Sequence, residues 1–219
     1  MTKVYTADVT PLEDESLFRS LYAGIPVQRQ EKIDSLRFQK DRQLSLGAWL
    51  LLKAALRDWG YEDAFSIDRN PQGKPFLKDC PDLHFNLSHS GSRVLCALSD
   101  GEVGCDIQQM GEMNLQLARR FFSPEEVAAL TARKEESRRE YFYRLWALKE
   151  SFVKAVGLGL ALPLREFSVL LSEKGIRLEQ SRFPDRQFFF REWDAGEGYA
   201  CACCAETPEM EGLIPLKLW

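Results

Sequence analysis

A pattern that occurs twice along the chain restricts its fold more than any other feature of the sequence. A long helical segment, KDRQLSLGAWLLLKAALRDWG, ends at Gly60, and a second, SRREYFYRLWALKESFVKAVG, ends at Gly157. Apolar residues recur near the 3.6-residue period in both segments, and glycine suits the left-handed position that closes a helix. We therefore expect one long helix with an apolar face in each half of the chain.

Short strand patterns follow each of these helices. After the first come DLHFNLSH, RVLCALS and EVGCDIQ, and after the second come EFSVLLS, GIRLEQ, RQFFFREW and YACACCAE. Strands at such short spacing usually pair antiparallel. We predict an α+β fold with two structurally similar lobes, each a long helix packed on a small antiparallel sheet. The predicted lobes are residues 1–102 and 103–219, with the ligand site at their interface.

Size and charge disfavour several classes of protein. The chain has 219 residues, and a chain of this size buries about 70% of its unfolded surface without a disulfide or a metal. Its net charge is −4, which disfavours nucleic-acid binding through bulk charge. No run approaches the ~18 apolar residues of a membrane span, and the N-terminus lacks the apolar core of an export signal. We expect a cytoplasmic protein without a membrane span.

Six cysteines accompany this profile, and three of them lie in YACACCAE. Without an export signal, free thiols in a reducing compartment are the simplest interpretation. Zinc sites usually combine two spaced pairs of Cys or His, and the sequence offers no second pair here. We interpret YACACCAE as a buried strand of small residues.

Two of the strand-like segments carry polar residues next to apolar ones. In EVGCDIQ, alternation places Asp106 and Gln108 on the face opposite the apolar side chains. In FNLSHSG, Ser88 and His89 belong to a predicted polar turn, whose amides and hydroxyls suit phosphate oxygens. Each pattern alone is also typical of ordinary structure: a strand with one solvated side, and the end of a hairpin.

The second long helix carries charges in an apolar setting. Trp146, Glu150 and Lys154 are spaced four residues apart and line one stripe, beside a mostly apolar face that includes Lys149. One interpretation is a surface Glu150–Lys154 pair worth about 0.3–0.5 kcal/mol. Because an unpaired buried carboxylate is costly, a Glu in so apolar a helix favours a partner such as a cation.

Together, these residues predict a metal and phosphate site. Asp106, Gln108 and Glu150 offer hard oxygen ligands of the kind that suit Mg²⁺, which usually shares its coordination with substrate phosphates. Lysines and a histidine nearby would bind further phosphate oxygens. Such a combination of oxygen ligands and cationic side chains is typical of phosphoryl-type transfer, in which positioning and charge neutralisation provide most of the catalysis.

Five segments of the chain resemble, in order, the 4′-phosphopantetheinyl transferases, in particular the two-lobed surfactin-synthetase-activating type. They are GKPFL, LHFNLSHSG, VGCDIQ, FFSPEEVAAL and FYRLWALKESFVKAVGLGLALPLREFSV. The resemblance implies coenzyme A in the cleft between the lobes and Mg²⁺ as the cofactor. It implies transfer of the phosphopantetheine arm to a serine of an apo acyl or peptidyl carrier protein, with release of adenosine 3′,5′-bisphosphate. We expect a monomer.

The resemblance also assigns roles to individual residues. Asp106 and Glu150 match the family's magnesium ligands, and Glu150 or a metal-held water is the general base. Lys154 matches the lysine beside the pyrophosphate, so that Asp106, Glu150 and Lys154 form the catalytic set. Contacts with coenzyme A are implied for eight residues: Arg29, Lys32, Arg42, Ser45, Lys74, Ser88, His89 and Lys154.

Gln108 departs from the family pattern. The surfactin-activating type has Glu two residues after the strand Asp, so this site has two carboxylates instead of three. The amide oxygen of Gln108 can bind a metal directly or through water, but it brings no charge. We therefore expect weaker Mg²⁺ binding in the absence of the nucleotide.

Other functions and surfaces stay open at the level of sequence. A degenerate homologue would bind coenzyme A or a carrier without turnover, and a Mg²⁺-dependent phosphohydrolase would release product without a carrier. The run LARRFF, with Arg119 and Arg120, is either lobe packing with two solvated arginines or a docking surface for an acidic carrier. We interpret the C-terminal MEGLIPLKLW as an apolar tail packed on the second lobe.

Overall fold

The structure, a computed structural model, describes residues 1–61 and 65–219, which contain six α-helices, three short 3-10 helices and eleven strands. The helices are α1 (Glu15–Ala23), α2 (Val27–Asp34), α3 (Gln39–Asp58), α4 (Leu115–Phe121), α5 (Pro124–Thr131) and α6 (Glu135–Val156). The strands are β1 (Thr2–Asp8), β2 (Ile67–Arg69), β3 (Pro75–Leu77), β4 (His84–Ser90), β5 (Arg93–Ser99), β6 (Val103–Gln109), β7 (Ser168–Ser172), β8 (Gly175–Glu179), β9 (Phe189–Glu192), β10 (Tyr199–Ala205) and β11 (Met210–Pro215).

The two halves of the chain repeat one order of elements. Each half opens with a strand, continues through three helices, and then forms a hairpin and two further strands. The last of these strands pairs antiparallel with the opening strand and with its own predecessor, which gives the orders β1-β5-β4 and β6-β10-β9. The predicted α+β fold with two similar lobes is confirmed. β6 begins at Val103, and the division of the chain after residue 102 stays a prediction.

One long helix packs on each of these sheets. α3 lies against β1, β4 and β5, and α6 lies against β6 and β10. Both helices end where the sequence predicts, since Gly60 follows the end of α3 with φ 84° and Gly157 closes α6 with φ 72°. Only glycine adopts such values without strain, so these two positions fix where the chain leaves each helix.

The two halves meet where β6 lies beside β4, and polar side chains connect these strands. Three side chains of β4 accept hydrogen bonds from backbone amides at alternate positions of β6: Asn86 from Cys105 (3.0 Å), Ser88 from Ile107 (3.3 Å) and Ser90 from Gln109 (2.9 Å). A buried amide without a partner is costly, so these bonds favour a single register between the halves. The same hydrogen bonds explain why Ser88 and Ser90 are polar although they belong to a strand.

The segment from Ser88 to Ser90 is part of a strand, and its prediction as a polar turn is wrong. Its hydroxyl side chains at Ser88 and Ser90 bond to β6, while its backbone is extended because it pairs with β5. The turn begins one residue later, at Gly91, whose φ is 61°. The hydroxyl of Tyr199, from the second half, accepts a hydrogen bond from the amide of Ser92 in this turn (3.1 Å).

The C-terminal segment returns to the first half of the chain. β11 pairs parallel with β1, and the amide of Leu216 donates to the carbonyl of Thr6 (2.8 Å). Leu216, Leu218 and Trp219 then pack against the apolar core of the first half. The prediction of a tail on the second lobe is therefore wrong. β5 covers one edge of β1, and the C-terminal strand uses the edge that is left.

The cysteines of YACACCAE lie in β10, as predicted, and all three are buried free thiols. Cys203 lies directly opposite Cys105 in the antiparallel pair of β10 and β6. Burial raises the pKa of Cys105 to about 12, so this thiol stays protonated at neutral pH. No helix in residues 1–61 and 65–219 is both long and apolar enough to cross a membrane.

Candidate active site

The polar face of β6 is covered by α6. Val103, Cys105 and Ile107 point to an apolar core on one side, as alternation predicts. On the other side, a Cβ atom at Gly104 would lie 2.1 Å from the backbone oxygen of Ser151 in α6, so only glycine allows this approach. This close contact places the next residue on the same face, Asp106, beneath the helix with 2% of its surface exposed.

The carboxylate of Asp106 has hydrogen-bond partners on both oxygens. Oδ1 accepts from Lys154 Nζ (2.5 Å) and from Ser88 Oγ (2.9 Å), and Oδ2 accepts from Gln108 Nε2 (2.8 Å). Burial acts to lower the pKa of Lys154, but the charge and hydrogen bond of Asp106, together with the effects of Cys105 and Glu150, outweigh burial and raise that pKa above its ordinary value. Lys154 therefore carries its charge at neutral pH and pairs with Asp106 across the two elements.

Glu150 lies one turn before Lys154 on the same stripe of α6. Burial raises the pKa of the Glu150 carboxyl above its ordinary value, and the neighbouring charge of Asp106 raises it further. Within the described residues, no hydrogen bond or ion pair engages this carboxylate. The carboxylates of Asp106 and Glu150 thus interact with each other and share the ammonium of Lys154. This arrangement favours an additional cation or a proton.

Cationic side chains from the first half border this centre. Arg29, on α2, donates through Nη2 to the backbone oxygen (2.8 Å) and to Oγ (3.2 Å) of Ser45. Its guanidinium lies over the ring of Trp49, 5.4 Å from the ring centroid, and its Nε is buried without a partner among the described residues. Burial and then the charge of Arg69 lower the pKa of Arg29. A buried donor without an acceptor favours an anionic ligand at this place.

Arg29, Lys32 and Arg69 form one group of positive charges in the first half, called the cationic group below. Arg69 is the member that was not predicted from the sequence. Burial, followed by the charges of Arg29 and Arg69, lowers the pKa of Lys32. His89 lies within electrostatic reach of both Lys32 and Lys154, which connects the group to the carboxylate centre. Arg69 precedes the GKP segment by four residues, and nothing in its immediate sequence distinguishes it from a solvated arginine. Mutual repulsion among these cations is relieved when a phosphate binds.

Two of the predicted coenzyme contacts have other partners in this structure. Arg42 donates to the backbone oxygens of Leu36 (2.9 Å) and Asp34 (3.2 Å), just beyond and at the end of α2. The ammonium of Lys74 pairs with Glu102 (2.5 Å) instead of facing the cationic group. The predicted contacts of Arg42 and Lys74 with coenzyme A stay predictions.

Lys149, the residue before Glu150, points in the opposite direction. Its ammonium is fully buried and donates to Glu126 Oε1 (2.7 Å) and Oε2 (2.8 Å) and to the backbone oxygen of Phe167 (2.7 Å). Glu126 also forms a capping box with Ser123 at the start of α5. Neighbouring charges on α6 thus have different roles: Lys149 connects α6 to α5, and Glu150 faces the cleft.

A cavity of about 670 Å³ opens beside the carboxylate centre. Trp146, Glu150 and Lys154 line it on one side, as their helical spacing predicts. The loop of residues 72–75, Phe121 of α4 and the segment after α6 form the other walls. The cavity is therefore partly charged and partly apolar, which suits an extended ligand with a phosphate end and an apolar end.

Comparison with known proteins identifies the family of this chain. Residues 10–100 match the model of the 4′-phosphopantetheinyl transferase N-terminal domain, and residues 102–204 match that of the 4′-phosphopantetheinyl transferase superfamily. The chain is 37% identical to a 4′-phosphopantetheinyl transferase of Bacillus subtilis over 204 residues, which cover 91% of this chain and 90% of the relative. It is 35% identical to the 4′-phosphopantetheinyl transferase Sfp of Bacillus subtilis strain 168, with 91% and 89% covered.

A vertebrate protein is also similar. The L-aminoadipate-semialdehyde dehydrogenase-phosphopantetheinyl transferase of Xenopus laevis is 32% identical over 163 residues, which cover 65% of this chain and 53% of the relative. Both halves of the chain are matched, in the order that the resemblance predicts. The chain belongs to the 4′-phosphopantetheinyl transferase family and is an enzyme of this type.

Proposed function

We propose that this enzyme transfers the 4′-phosphopantetheine arm of coenzyme A to a serine of an apo carrier protein and releases adenosine 3′,5′-bisphosphate. The observation that carries the proposal is the centre of Asp106, Lys154 and Glu150 in the cleft, with the cationic group of the first half beside it. Coenzyme A has a nucleotide with three phosphate groups at one end and a flexible arm at the other. The charged and apolar parts of the cleft complement these two ends.

The phosphates of coenzyme A are assigned to the cationic group. Arg29 offers the buried Nε that has no partner among the described residues, and Lys32 and Arg69 add positive charge beside it. Ser88 accepts a hydrogen bond from Lys154, and His89 lies near both Lys32 and Lys154, so these two residues connect the cationic group to Lys154. In this arrangement Lys154 lies beside the pyrophosphate, because it is the cation closest to the carboxylates.

The donor set fits a divalent cation. Asp106 and Glu150 supply carboxylate oxygens, and the amide oxygen of Gln108 is left available because the amide nitrogen donates to Asp106. The raised pKa of Glu150 reflects a carboxylate that a cation would stabilise. Mg²⁺ bound by these residues would neutralise pyrophosphate charge and polarise the reacting phosphoryl group. Oxygens of the substrate phosphates would complete the coordination of such an ion.

The protein side chains provide the proton and charge transfers. Glu150, with its raised pKa and no hydrogen-bond partner in the described part of the chain, accepts the proton of the carrier serine. The serine oxygen then forms a bond to the β-phosphorus, and the bond from this phosphorus to the bridging oxygen breaks. Lys154 donates to Ser88 Oγ, to the backbone oxygen of Cys105 and to Asp106, and it exchanges one of these acceptors for the departing nucleotide phosphate, whose negative charge increases as it leaves. The products are the phosphopantetheinyl serine and adenosine 3′,5′-bisphosphate.

Mass spectrometry of an apo carrier tests this function. After incubation with the enzyme, coenzyme A and Mg²⁺, the carrier is expected to gain the mass of one phosphopantetheine group on serine. Adenosine 3′,5′-bisphosphate should appear only when the carrier is present. An unchanged carrier mass would overturn the proposal, and nucleotide release without a carrier would indicate a phosphohydrolase instead.

Substitution of Gln108 tests the metal site. The variant Gln108→Glu adds a third carboxylate, so we expect half-maximal rate at a roughly fivefold lower Mg²⁺ concentration with activity retained. The measurement is a Mg²⁺ titration of the initial transfer rate. Gln109→Glu is the matched control, because Gln109 is exposed on the opposite face of β6. An unchanged titration in Gln108→Glu would count against a ligand role.

We assign the docking site for the carrier protein to the exposed part of α4. Leu117, Arg119 and Arg120 are exposed, and Phe121 beside them lines the cavity that contains Glu150. Ala118 is buried against the core of the second half, so the helix presents the two arginines and Leu117 outward. A basic surface next to the reacting groups suits an acidic carrier whose serine must reach Glu150.

Charge reversal on α4 tests this docking surface. We expect Arg119→Glu to raise the KM for an acidic carrier about tenfold while the KM for coenzyme A is unchanged, because like charges repel at the rim of the contact. Steady-state kinetics with each substrate varied in turn measures both constants. Arg139→Glu, an exposed arginine on α6, is the control. Equal effects of the two variants would contradict the assignment.

We further propose that the enzyme is active as a monomer. We also propose that it lies in the cytoplasm. Both sides of the cleft come from the same chain, since Ser88 belongs to β4 and Lys154 to α6 and the two are hydrogen-bonded (3.0 Å). The six cysteines are free thiols, which supports a reducing compartment. Transfer by a species of monomer mass in gel filtration tests the first statement.

A further inference from the structure

The ammonium of Lys74 lies at a point where three elements converge. It donates to Glu102 Oε2 (2.5 Å), to the backbone oxygen of Ala155 (2.7 Å) and to the backbone oxygen of Val103 (3.2 Å). Only 12% of the Lys74 side chain is exposed. Burial lowers the pKa of Lys74, and the charge of Glu102 counteracts this effect. All three hydrogen atoms of the ammonium thus have acceptors, and its charge has one counter-ion.

Lys74 belongs to a hairpin that is joined to neither of the two larger sheets. Among the residues that the structure describes, β2 and β3 pair only with each other, through the positions from Ile67 to Leu77. A two-stranded hairpin is marginally stable by itself, so side-chain contacts must fix its position. On the side of the first half, Leu77 packs into the apolar core. On the side of the second half, the contacts come from the loop between the two strands.

This loop is closed on itself and rests on the end of α6. The side-chain oxygen of Asn70 accepts from the amides of Gln72 (3.0 Å) and Lys74 (2.8 Å), which makes the loop one unit. A Cβ atom at Gly157 would lie 2.8 Å from Lys74 Cδ, so the aliphatic part of Lys74 packs against the helix terminus. The ammonium then reaches the carbonyl of Ala155, where the negative end of the helix dipole favours a cation.

The position of this loop determines one wall of the cleft. Residues 72–75 line the same cavity as Glu150 and Lys154. α6 has a separate connection to the second half, through the buried pair of Lys149 and Glu126. Loss of the Lys74 contacts would therefore displace the hairpin and leave α6 with its reacting side chains in place.

We propose that Lys74 and Glu102 form an ion pair that positions the hairpin loop as the substrate-binding wall of the cleft. Lys74 is thus a positioning residue for coenzyme A, and Glu102, at the junction of the two halves, sets its direction. The inference rests on the proposed function, because it concerns the affinity of the same cleft for the same substrate. It differs from a direct contact of Lys74 with a coenzyme phosphate, in which Glu102 would compete with the substrate.

Two substitutions distinguish these roles. We expect Lys74→Met and Glu102→Ala each to raise the KM for coenzyme A about tenfold, with kcat changed by less than about twofold, because the wall moves and the catalytic side chains do not. The KM for the carrier should stay at its wild-type value. The double variant should raise this KM by less than the product of the two single effects, since both single variants remove the Lys74–Glu102 pair. The measurement is initial-rate kinetics of carrier modification with coenzyme A varied.

Glu192→Ala is the matched control. Glu192 pairs with Arg144 (2.8 Å), is partly buried like Glu102 (22% against 35% of the side chain exposed), and belongs to β9 and not to the hairpin. A KM for coenzyme A that is unchanged or lowered in Glu102→Ala would overturn the proposal and support a direct phosphate contact by Lys74. A fall in kcat at constant KM would also overturn it. Absence of transfer by the wild-type enzyme would instead contradict the proposed function, so the two failures are distinguishable.

Discussion

Replacement of Glu150 by glutamine is expected to lower kcat for phosphopantetheine transfer by about 10³-fold, within the range attributed to a general base. The amide cannot accept the serine proton, and it also removes one of the two carboxylates available to a cation. The fold should persist, because in the described chain the carboxylate makes no hydrogen bond that glutamine would lose. The rate of mass gain by an apo carrier at saturating coenzyme A measures the effect, and a thermal melt checks the fold.

Glu140→Gln provides the control for this experiment. Glu140 is on the exposed side of the same helix and has no part in the cleft. Its variant should transfer at the wild-type rate, which separates the loss of one carboxylate on α6 from the loss of the one that faces the substrate. A wild-type rate in Glu150→Gln would exclude Glu150 as the base. Binding of coenzyme A to the inactive variant, followed by calorimetry, should remain measurable because the cationic group is intact.

The parts of the fold that depend on local patterns were predictable from the sequence. The alternation of EVGCDIQ gave the two faces of β6, and the spacing of Trp146, Glu150 and Lys154 gave the side of α6 that lines the cleft. The seven predicted strand segments each overlap a strand of the structure. In these cases, the period of the side chains is fixed by the geometry of the element itself.

Features that depend on distant partners were not predictable in this way. β1 was not recognised as a strand, and the C-terminal segment was assigned to the wrong half, because each is stabilised by the other across the whole chain. Arg69 resembles any surface arginine until the fold brings it to Arg29 and Lys32. Lys74 was assigned to the substrate because its sequence neighbours match the family, whereas its ammonium reaches Glu102 and the end of α6.

The charges in the apolar helix α6 illustrate the same limit. The sequence shows that Lys149 and Glu150 are adjacent and lie in apolar surroundings, which predicts a partner for each but not its identity. In the structure Lys149 pairs with Glu126, which also caps the start of α5. One carboxylate thus completes the start of α5 and neutralises a buried lysine of α6. Removal of Lys149 is therefore expected to lower the stability of the protein strongly.

Replacement of Lys149 by methionine is expected to destabilise the protein by about 3–5 kcal/mol, the usual cost of removing one partner of a buried ion pair. Glu126 would keep its hydrogen bonds from the amides of Ser123 (2.8 Å) and Val169 (2.6 Å), but its charge would have no counter-ion in the core. Urea unfolding followed by circular dichroism measures the free energy of unfolding. Lys53→Met, on the exposed side of α3, is the matched control and should change it little.

The double variant Lys149→Met/Glu126→Gln makes this prediction specific to the pair. Glutamine preserves the size of Glu126 and removes the charge that the first substitution leaves unpaired, so the double variant should lose less stability than the sum of the two single variants. A coupling free energy of about 1 kcal/mol or more is expected for groups in direct contact. Additive losses would show that methionine acts through packing alone. In that case the position of α6, and with it the direction of Glu150, would depend on the apolar core and not on the buried pair.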